Sequence, residues 1–427
     1  MLPSPRFCNE NILAGKNVKT AVGDGAAGAR VGLLTMSCVP DDPRVRRQGT
    51  ALAAAGYSVF AIGLRGGRSR SPDWPVFEID PGTDAPLTGA ARWARRAKWT
   101  SASLLSRAAP QTALAASFGL DHRLESMFCT ADGRVADVWI ANDWKTLPVA
   151  LRLNAGRPAR IIYDTHELAT EEYAEHTRWR LFHQPFRHAI ETVALSRVDA
   201  VTTVSDGISA RLHELYRLPT GPRVVRNVPS YQKQMPHATG ARIGVLYHGV
   251  VAPGRGLEAT IESVRLWRPE FGLTIRGPAT GEYLASLKHQ ATGQGVANRV
   301  VFAPAVAMVD LVTAASESDI GLFALPGHSV QNAYALPNKF FEYVMAGLAL
   351  CVSDLPEMSR LVSRYELGHV MSGTGPVAIA AAINAFDVAQ IDVAKKNARK
   401  AAIELCWEAE QKILLACVAE VLTLQAK

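Results

Sequence analysis

Lys339 and Glu342 stand three residues apart in the segment YALPNKFFEYVMAGLALCVSDLPE, residues 334–357. Pro337 suits a helix start, because its fixed φ and missing N–H cost nothing there. Asn338 and Lys339 then fall in the first turn. Free backbone N–H groups make that turn attractive to anions, and Lys339 adds a full positive charge. A spacing of three puts Glu342 on about the same helix face. That face offers a phosphate-binding cation beside a hydroxyl-binding carboxylate, the pairing a nucleoside diphosphate needs for its pyrophosphate and its ribose. The same two residues would also make an ordinary ion pair on a helix surface.

A second segment, VLYHGVVAPGRGLE (residues 245–258), narrows the choice. A strand ends at His248-Gly249, a loop with Pro253, Gly254 and Gly256 brackets Arg255, and a helix begins near Leu257. A glycine-rich strand-to-helix turn lets a phosphate approach the backbone. Arg255 there is able to grip it through two parallel hydrogen bonds. A third segment, IIYDTHEL (161–168), sets His166 and Glu167 just past a strand end in the other half of the chain. That place suits a cleft-lining histidine, or a structural one. In residues 90–109, Arg92, Arg95, Arg96, Lys98 and Arg107 interleave with Trp93, Trp99, Leu104 and Leu105. This reads as a surface helix with a solvated basic face, or as a patch that meets an anionic membrane.

The elements that must position these residues are strands and helices in alternation. VGLLTM (31–36) and YSVFAIGL (57–64) flank a helix over 45–55, a βαβ unit. Further strands fall at 137–141, 160–164 and 199–204, with helices at about 146–154 and 206–216. Residues 229–241 (PSYQKQMPHATGA) read as a linker. Alternation then restarts, with strands at 243–248, 272–276, 299–303, 319–324 and 349–352. One long helical pattern runs over 393–425. The expected fold is α/β, two Rossmann-like doubly wound domains whose strand ends face a cleft. The boundaries are a loose tail over 1–29, a first domain over 30–235, a second over 236–400, and a terminal helix over 401–427 that returns to the first.

Composition agrees with a globular chain of two domains or slightly more. It has 427 residues, of which 48% are hydrophobic and 20% charged. That excludes disorder, collagen-like repeats and coiled coils for most of its length. The net charge of +7 favours phosphate-bearing ligands or an anionic membrane, and is too small to argue for nucleic acid. Cys8, Cys38, Cys129, Cys351, Cys406 and Cys417 are scattered without a CxxC pair, as buried thiols in a reducing compartment would be. No Asp-x-Asp motif or zinc-ligand spacing occurs, so no metal and no cofactor are expected. No run of about 18 apolar residues and no signal peptide is seen, which points to the cytoplasm.

These segments resemble a family 4-type glycosyltransferase with the GT-B fold, and they come in that family's order. DPRVRRQGTALAAAGYSV resembles the first strand–loop–helix of the acceptor domain, and YDTHEL its catalytic-histidine turn. DAVTTVSDGI and VVRNVP resemble the segments that close the first domain. YHGVVAPGRGLE and NKFFEYVMAGLAL resemble the first phosphate loop and the helix of the donor site. Cys406-Trp407-Glu408 resembles the point where the last helix crosses back.

The resemblance implies a nucleotide-sugar donor, which is a substrate rather than a cofactor, and a glycan or lipid-linked acceptor. The implied reaction is a retaining hexosyl transfer in surface-polysaccharide or glycolipid synthesis. It implies catalytic roles for His166, Arg255 and Lys339. Donor contacts would come from Gly249, Arg255, Gly256, Tyr334, Asn338, Lys339 and Glu342, and acceptor-side positions from Arg44, Asp143 and Glu167. Peripheral contact with an anionic inner membrane face would suit a lipid-linked acceptor. Two departures stand out. Tyr334 occupies the position of the family's first glutamate, and Val250 follows the loop glycine where an arginine is common. Two rivals are a nucleotide-sugar epimerase of the same fold and a non-catalytic nucleotide-sugar-binding partner subunit.

Overall fold

The computed structural model describes residues 28–67, 69–82, 89–157, 159–235, 237–327 and 329–424. Most of the tail expected over 1–29, and Cys8 with it, lies outside the described residues.

Two sheets carry the chain. The first contains β1 (Arg30–Leu34), β2 (Ser58–Leu64), β3 (Val76–Ile79), β4 (Val138–Asn142), β5 (Arg160–Asp164), β6 (Ala200–Thr203) and β7 (Arg223–Val224). The second contains β8 (Ile243–His248), β9 (Phe271–Arg276), β10 (Val300–Ala303), β11 (Ile320–Phe323), β12 (Ala349–Ser353) and β13 (Gly368–Met371). Their orders are β3-β2-β1-β4-β5-β6-β7 and β10-β9-β8-β11-β12-β13. Every pairing is parallel. β4 and β12 are buried at every position, as strands covered by helices on both faces must be.

In each sheet the strand order reverses at one point, between β1 and β4 and between β8 and β11. Connections leave to opposite faces there and open a crevice at the carboxyl ends of the strands. The candidate residues follow these strands. Arg44 lies beyond β1, Asp143 beyond β4, the 249–256 loop beyond β8, and the 324–338 segment beyond β11. β5, next to β4, leads into His166.

The end of the chain departs from the single helix read over 393–425. Val388–Glu404 and Trp407–Thr423 are separate helices, parted by Leu405 and an extended Cys406. Leu405, Cys406 and Trp407 are all buried, so the break is a packed corner. Trp407 N–H donates to the Pro229 carbonyl at 2.9 Å there. The last helix packs on the Pro43–Ala54 helix and β5 of the first domain. Three short strands lacked a sequence signal: β3, β7 and β13. Cys351, Cys406 and Cys417 are buried as expected, whereas Cys129 is exposed. Among the described residues no single helix is long and apolar enough to cross a membrane.

Candidate active site between the two sheets

The second-domain wall is built on β8 and on the helix Asn338–Ala346. Past His248 the chain turns at Gly249, whose φ of 118° a side chain would strain. A Cβ on Gly249 would stand 3.1 Å from Lys339 Nζ. Gly256, with φ 75°, ends the loop at the start of the Leu257–Ser263 helix, and a Cβ there would run into the Ala324 carbonyl oxygen. Glycine at both points holds Arg255 over the cavity. Arg255 is exposed and has no carboxylate partner among the described residues.

Pro337 stands at the N-cap of Asn338–Ala346, and no side chain caps the free amides of its first turn. Pro337 and Asn338 open onto the same cavity as Arg255. Lys339 Nζ lies over the rings of Tyr247 and Phe323, at 4.1 and 4.2 Å from their centroids. It finds no ion-pair partner there. Burial, then the nearby Arg255 charge, lower its pKa to about 7 against the opposing pull of Glu342. An ammonium held so close to neutrality gains from an incoming anion.

Glu342 lies behind this surface. Its Oε2 is 2.9 Å from Nε2 of His248, in contact but not aligned as a hydrogen bond, and His248 Nδ1 has no partner either. The imidazole stacks on Tyr343 at 4.7 Å and is 1% exposed. Arg47 of the first domain approaches from across the cleft. It donates to Asn227 Oδ1 at 2.8 Å, and burial holds its guanidinium down to about 10 although the Glu342 charge pulls the other way.

The first-domain wall centres on Asp164, fully buried at the end of β5. It accepts from Arg44 Nε and Nη2, Gln48 Nε2 and Thr202 Oγ1, each at 2.6 Å. Burial alone would raise this carboxyl, but Arg44 and then His166 hold it far below the ordinary range. His166 Nε2 sits 3.3 Å from Asp164 and 3.2 Å from Asn142 Oδ1. Burial lowers the imidazole, Asp164 more than offsets it, and the net shift is upward. Glu167 points into the cavity, and burial, then Glu172 and Asp143, raise it to about 7. Asp143 has φ 70° and ψ 154°, a region normally left to glycine, with Oδ1 accepting from Trp144 N–H at 2.7 Å.

A cavity of about 550 Å³ joins the two walls. Arg44, His166 and Glu167 line it from one side, and Arg255 and Asn338 from the other. Gly249 and Lys339 adjoin it behind Phe323. Three expectations shift. Tyr334, expected at the donor, has its ring against Gly207 and the Leu168–Val204–Ile208–Leu212 cluster of the first domain. Its apolar face is better served there than in a polar cavity. Arg44, expected to meet acceptor, spends its guanidinium on Asp164 and on the Val225 carbonyl at 2.8 Å. Asp143 lies beside the His166 turn and not on the cavity surface. Sequence reading missed Arg47, His248, Glu172 and Tyr173 in this region. Arg47 carried a signal, since it sits three residues after Arg44 on one helix face.

Residues 42–228 match the model of a glycosyl transferase 4-like domain. No curated protein matches the chain in sequence. Solved structures resemble it over nearly its whole length. Sucrose-phosphate synthase from Thermosynechococcus elongatus is 17% identical, covers 92% of this chain and 99% of its own, and has a TM-score of 0.68. HepE of Anabaena, in complex with UDP and glucose, is 13% identical, with coverage of 92% and 100% and a TM-score of 0.66. A glycosyltransferase from Rickettsia africae is 11% identical, with coverage of 93% and 100% and a TM-score of 0.62. These likenesses are of fold, and the fold is GT-B, two α/β domains with parallel sheets. Residues 42–228 are thus similar to a glycosyl transferase 4-like domain, and the whole chain has the GT-B architecture. The matched segment contributes the His166 wall, and the second sheet carries Arg255 and Lys339. Among the described residues no group of three or more His, Cys, Asp or Glu is placed to hold a metal ion.

Proposed function

We propose that the protein is a glycosyltransferase that moves a hexose from a nucleotide-sugar to a glycan or lipid-linked acceptor, with retention of configuration. The carrying observation is the pair of cations Arg255 and Lys339, neither with a carboxylate ion pair, beside an uncapped helix start on the cavity. The UDP and glucose complex of HepE supports the reading through the shared fold.

In this reading the diphosphate lies between Arg255, Lys339 and the first-turn amides of Asn338–Ala346. Charge grows on it as the glycosidic bond breaks, and groups already aimed at that charge lower the barrier. The two cations take the part a metal plays elsewhere, so no cofactor is required. Lys339 gains its proton as the diphosphate arrives. Glu342, in contact with His248, receives the ribose hydroxyls. His166, oriented by Asp164, faces the reacting sugar. The acceptor enters along Glu167 and Glu172. The reaction belongs to surface-polysaccharide or glycolipid synthesis in the cytoplasm.

The acidic wall of His166, Glu167, Glu172 and Glu175 favours a second reading, acid–base epimerisation of a nucleotide-sugar. The test is incubation with UDP-, GDP- and ADP-hexoses, with and without acceptor. Release of nucleoside diphosphate only with acceptor, and a product of retained configuration by NMR, supports transfer. Interconversion of the donor sugar without acceptor supports the epimerase. Binding without either reaction would make the protein a partner subunit.

A further inference from the structure

The helix Gly89–Ala108 has two apolar faces. One is spent inside the first domain. Ala102, Ser103 and Ser106 are buried, and Trp99 meets His183 and Phe186 at ring distances of 4.8 and 5.2 Å. At 3.6 residues per turn, Trp93, Ala97, Leu104 and Leu105 fall on the far side. Trp93, Leu104 and Leu105 are 70, 58 and 60% exposed. Residues 89–98 are exposed all the way round, so this half of the helix stands clear of the body.

Arg96 and Lys98 border the outward stripe, and Arg95 adds charge to the same exposed turns. Arg95, Arg96 and Lys98 belong to the exposed half, Arg96 stacks over Trp93 at 5.9 Å, and the helix contains no acidic residue. A second element extends the pattern. In the helix Thr177–Phe182, Leu181 is 50% exposed and Arg178 and Arg180 are exposed beside it. Arg107 joins the two by donating to the Leu181 carbonyl at 2.8 Å. The chain just before this helix, through Glu172, Tyr173 and Glu175, forms the first-domain rim of the cavity.

An outward tryptophan and leucines bordered by arginine and lysine match a bilayer interface. The ring sits at headgroup depth, the leucines reach the acyl boundary, and the cations meet lipid phosphate. A second copy is a poor occupant, because facing these surfaces would oppose cation to cation. We propose that the outward face of Gly89–Ala108, with Thr177–Phe182, docks on an anionic lipid bilayer and brings the first-domain rim of the cavity to the membrane. The consequence, that the acceptor is lipid-linked and enters from the bilayer, rests on the transferase reading; the docking itself does not.

The test is co-sedimentation of the full chain with phosphatidylcholine vesicles, with and without phosphatidylglycerol, at low and high salt. The wild type should bind the phosphatidylglycerol vesicles, and salt should release it. Arg95→Gln/Arg96→Gln/Lys98→Gln should lose about a hundredfold in affinity, since each near-surface cation is worth roughly a fivefold gain. Leu104→Ser/Leu105→Ser should weaken binding at both salt levels. Thermal stabilisation by nucleotide-sugars, read on the same samples, shows that each variant folds. Equal vesicle binding by wild type and the triple variant overturns the docking face. So does a wild type that ignores phosphatidylglycerol vesicles, or dimerises through Leu104 and Leu105 instead. If the wild type binds vesicles and no nucleotide-sugar, the transferase reading fails and the docking face stands.

Discussion

Lys339 carries a charge that a ligand in the cavity would change. With a pKa lowered to about 7, it sheds its proton as pH rises through neutrality. A bound diphosphate favours the ammonium and raises that pKa. Nucleotide affinity should therefore be level below about pH 7 and fall as pH climbs above it, by up to tenfold per unit until the bound-state pKa is reached. Calorimetry in buffers of different ionisation enthalpy should show proton uptake at pH 8, and Lys339→Met should abolish it. Arg255→Ala and Lys339→Ala should each slow transfer about a hundredfold, the usual loss of one donor to developing charge. Glu342→Ala and His248→Ala should mainly raise KM for the donor, because the ribose is remote from the bond that breaks. Asp164 makes the opposite kind of prediction. Its folded pKa lies below the unfolded value, so the stability it adds is complete above about pH 4 and is lost as pH falls further. Asp164→Asn should destabilise the fold by about 3–5 kcal/mol in denaturant titration, because Arg44 would stay buried without its counter-charge. The placement of Lys339 and Glu342 on one helix, and of Arg255 in a glycine turn, was legible in the sequence because each sits in a local pattern. The role of Arg44 was not, because its partner lies 120 residues away.

Among the elements, the strands that pass through the middle of a sheet were the most legible. β1, β4, β8 and β12 are apolar runs with both faces covered, and β5 and β11 share that character. β3, β7 and β13 are edge strands of two to four residues, half-buried for the most part, and their sequences say little. The corner at Leu405–Cys406 was hidden from periodicity, which continues on either side of it, and only the resemblance of Cys406-Trp407-Glu408 to a crossing-back segment pointed there. Among the loops, Gly256 is decisive. Gly256→Ala would add a Cβ against the Ala324 carbonyl at a φ of 75°. It should cost about 1–3 kcal/mol and displace Arg255. Thermal unfolding and donor KM should both register the change, whereas Gly293→Ala, on the open side of the Gly281–Gly293 helix, should leave both unchanged.

For the whole molecule, the chain crossing and the contact that closes the domains fall on different segments. At the crossing, Trp407 N–H donates to the Pro229 carbonyl, and N–H and Nη1 of Arg226 reach the two Glu410 carboxylate oxygens at 2.8 and 2.9 Å. The closing contact joins the helix Asp206–Tyr216 to the second domain. Gly207 N–H donates to Glu357 Oε1 at 2.8 Å, Arg360 bridges Glu357 and Asp206, Ser205 Oγ donates to the Tyr334 carbonyl at 2.9 Å, and Leu168 N–H donates to Gln331 Oε1 at 2.7 Å. Tyr334, expected to contact the donor at the position of the family's first glutamate, thus helps to close the domains. Glu357→Ala removes a buried charged acceptor worth about 2 kcal/mol, a shift of roughly thirtyfold towards an opened pair of domains. Small-angle scattering should show a larger radius of gyration, with little change in the melting of either domain. In the transferase reading, Arg255 and Lys339 share one diphosphate in the cavity between the sheets. Titration calorimetry of UDP, GDP and ADP into the wild type, Arg255→Ala and Lys339→Ala tests it most directly. The wild type should bind at least one of the three, and each substitution should weaken the same nucleotide by about tenfold or more. Binding of equal strength in all three proteins would contradict it.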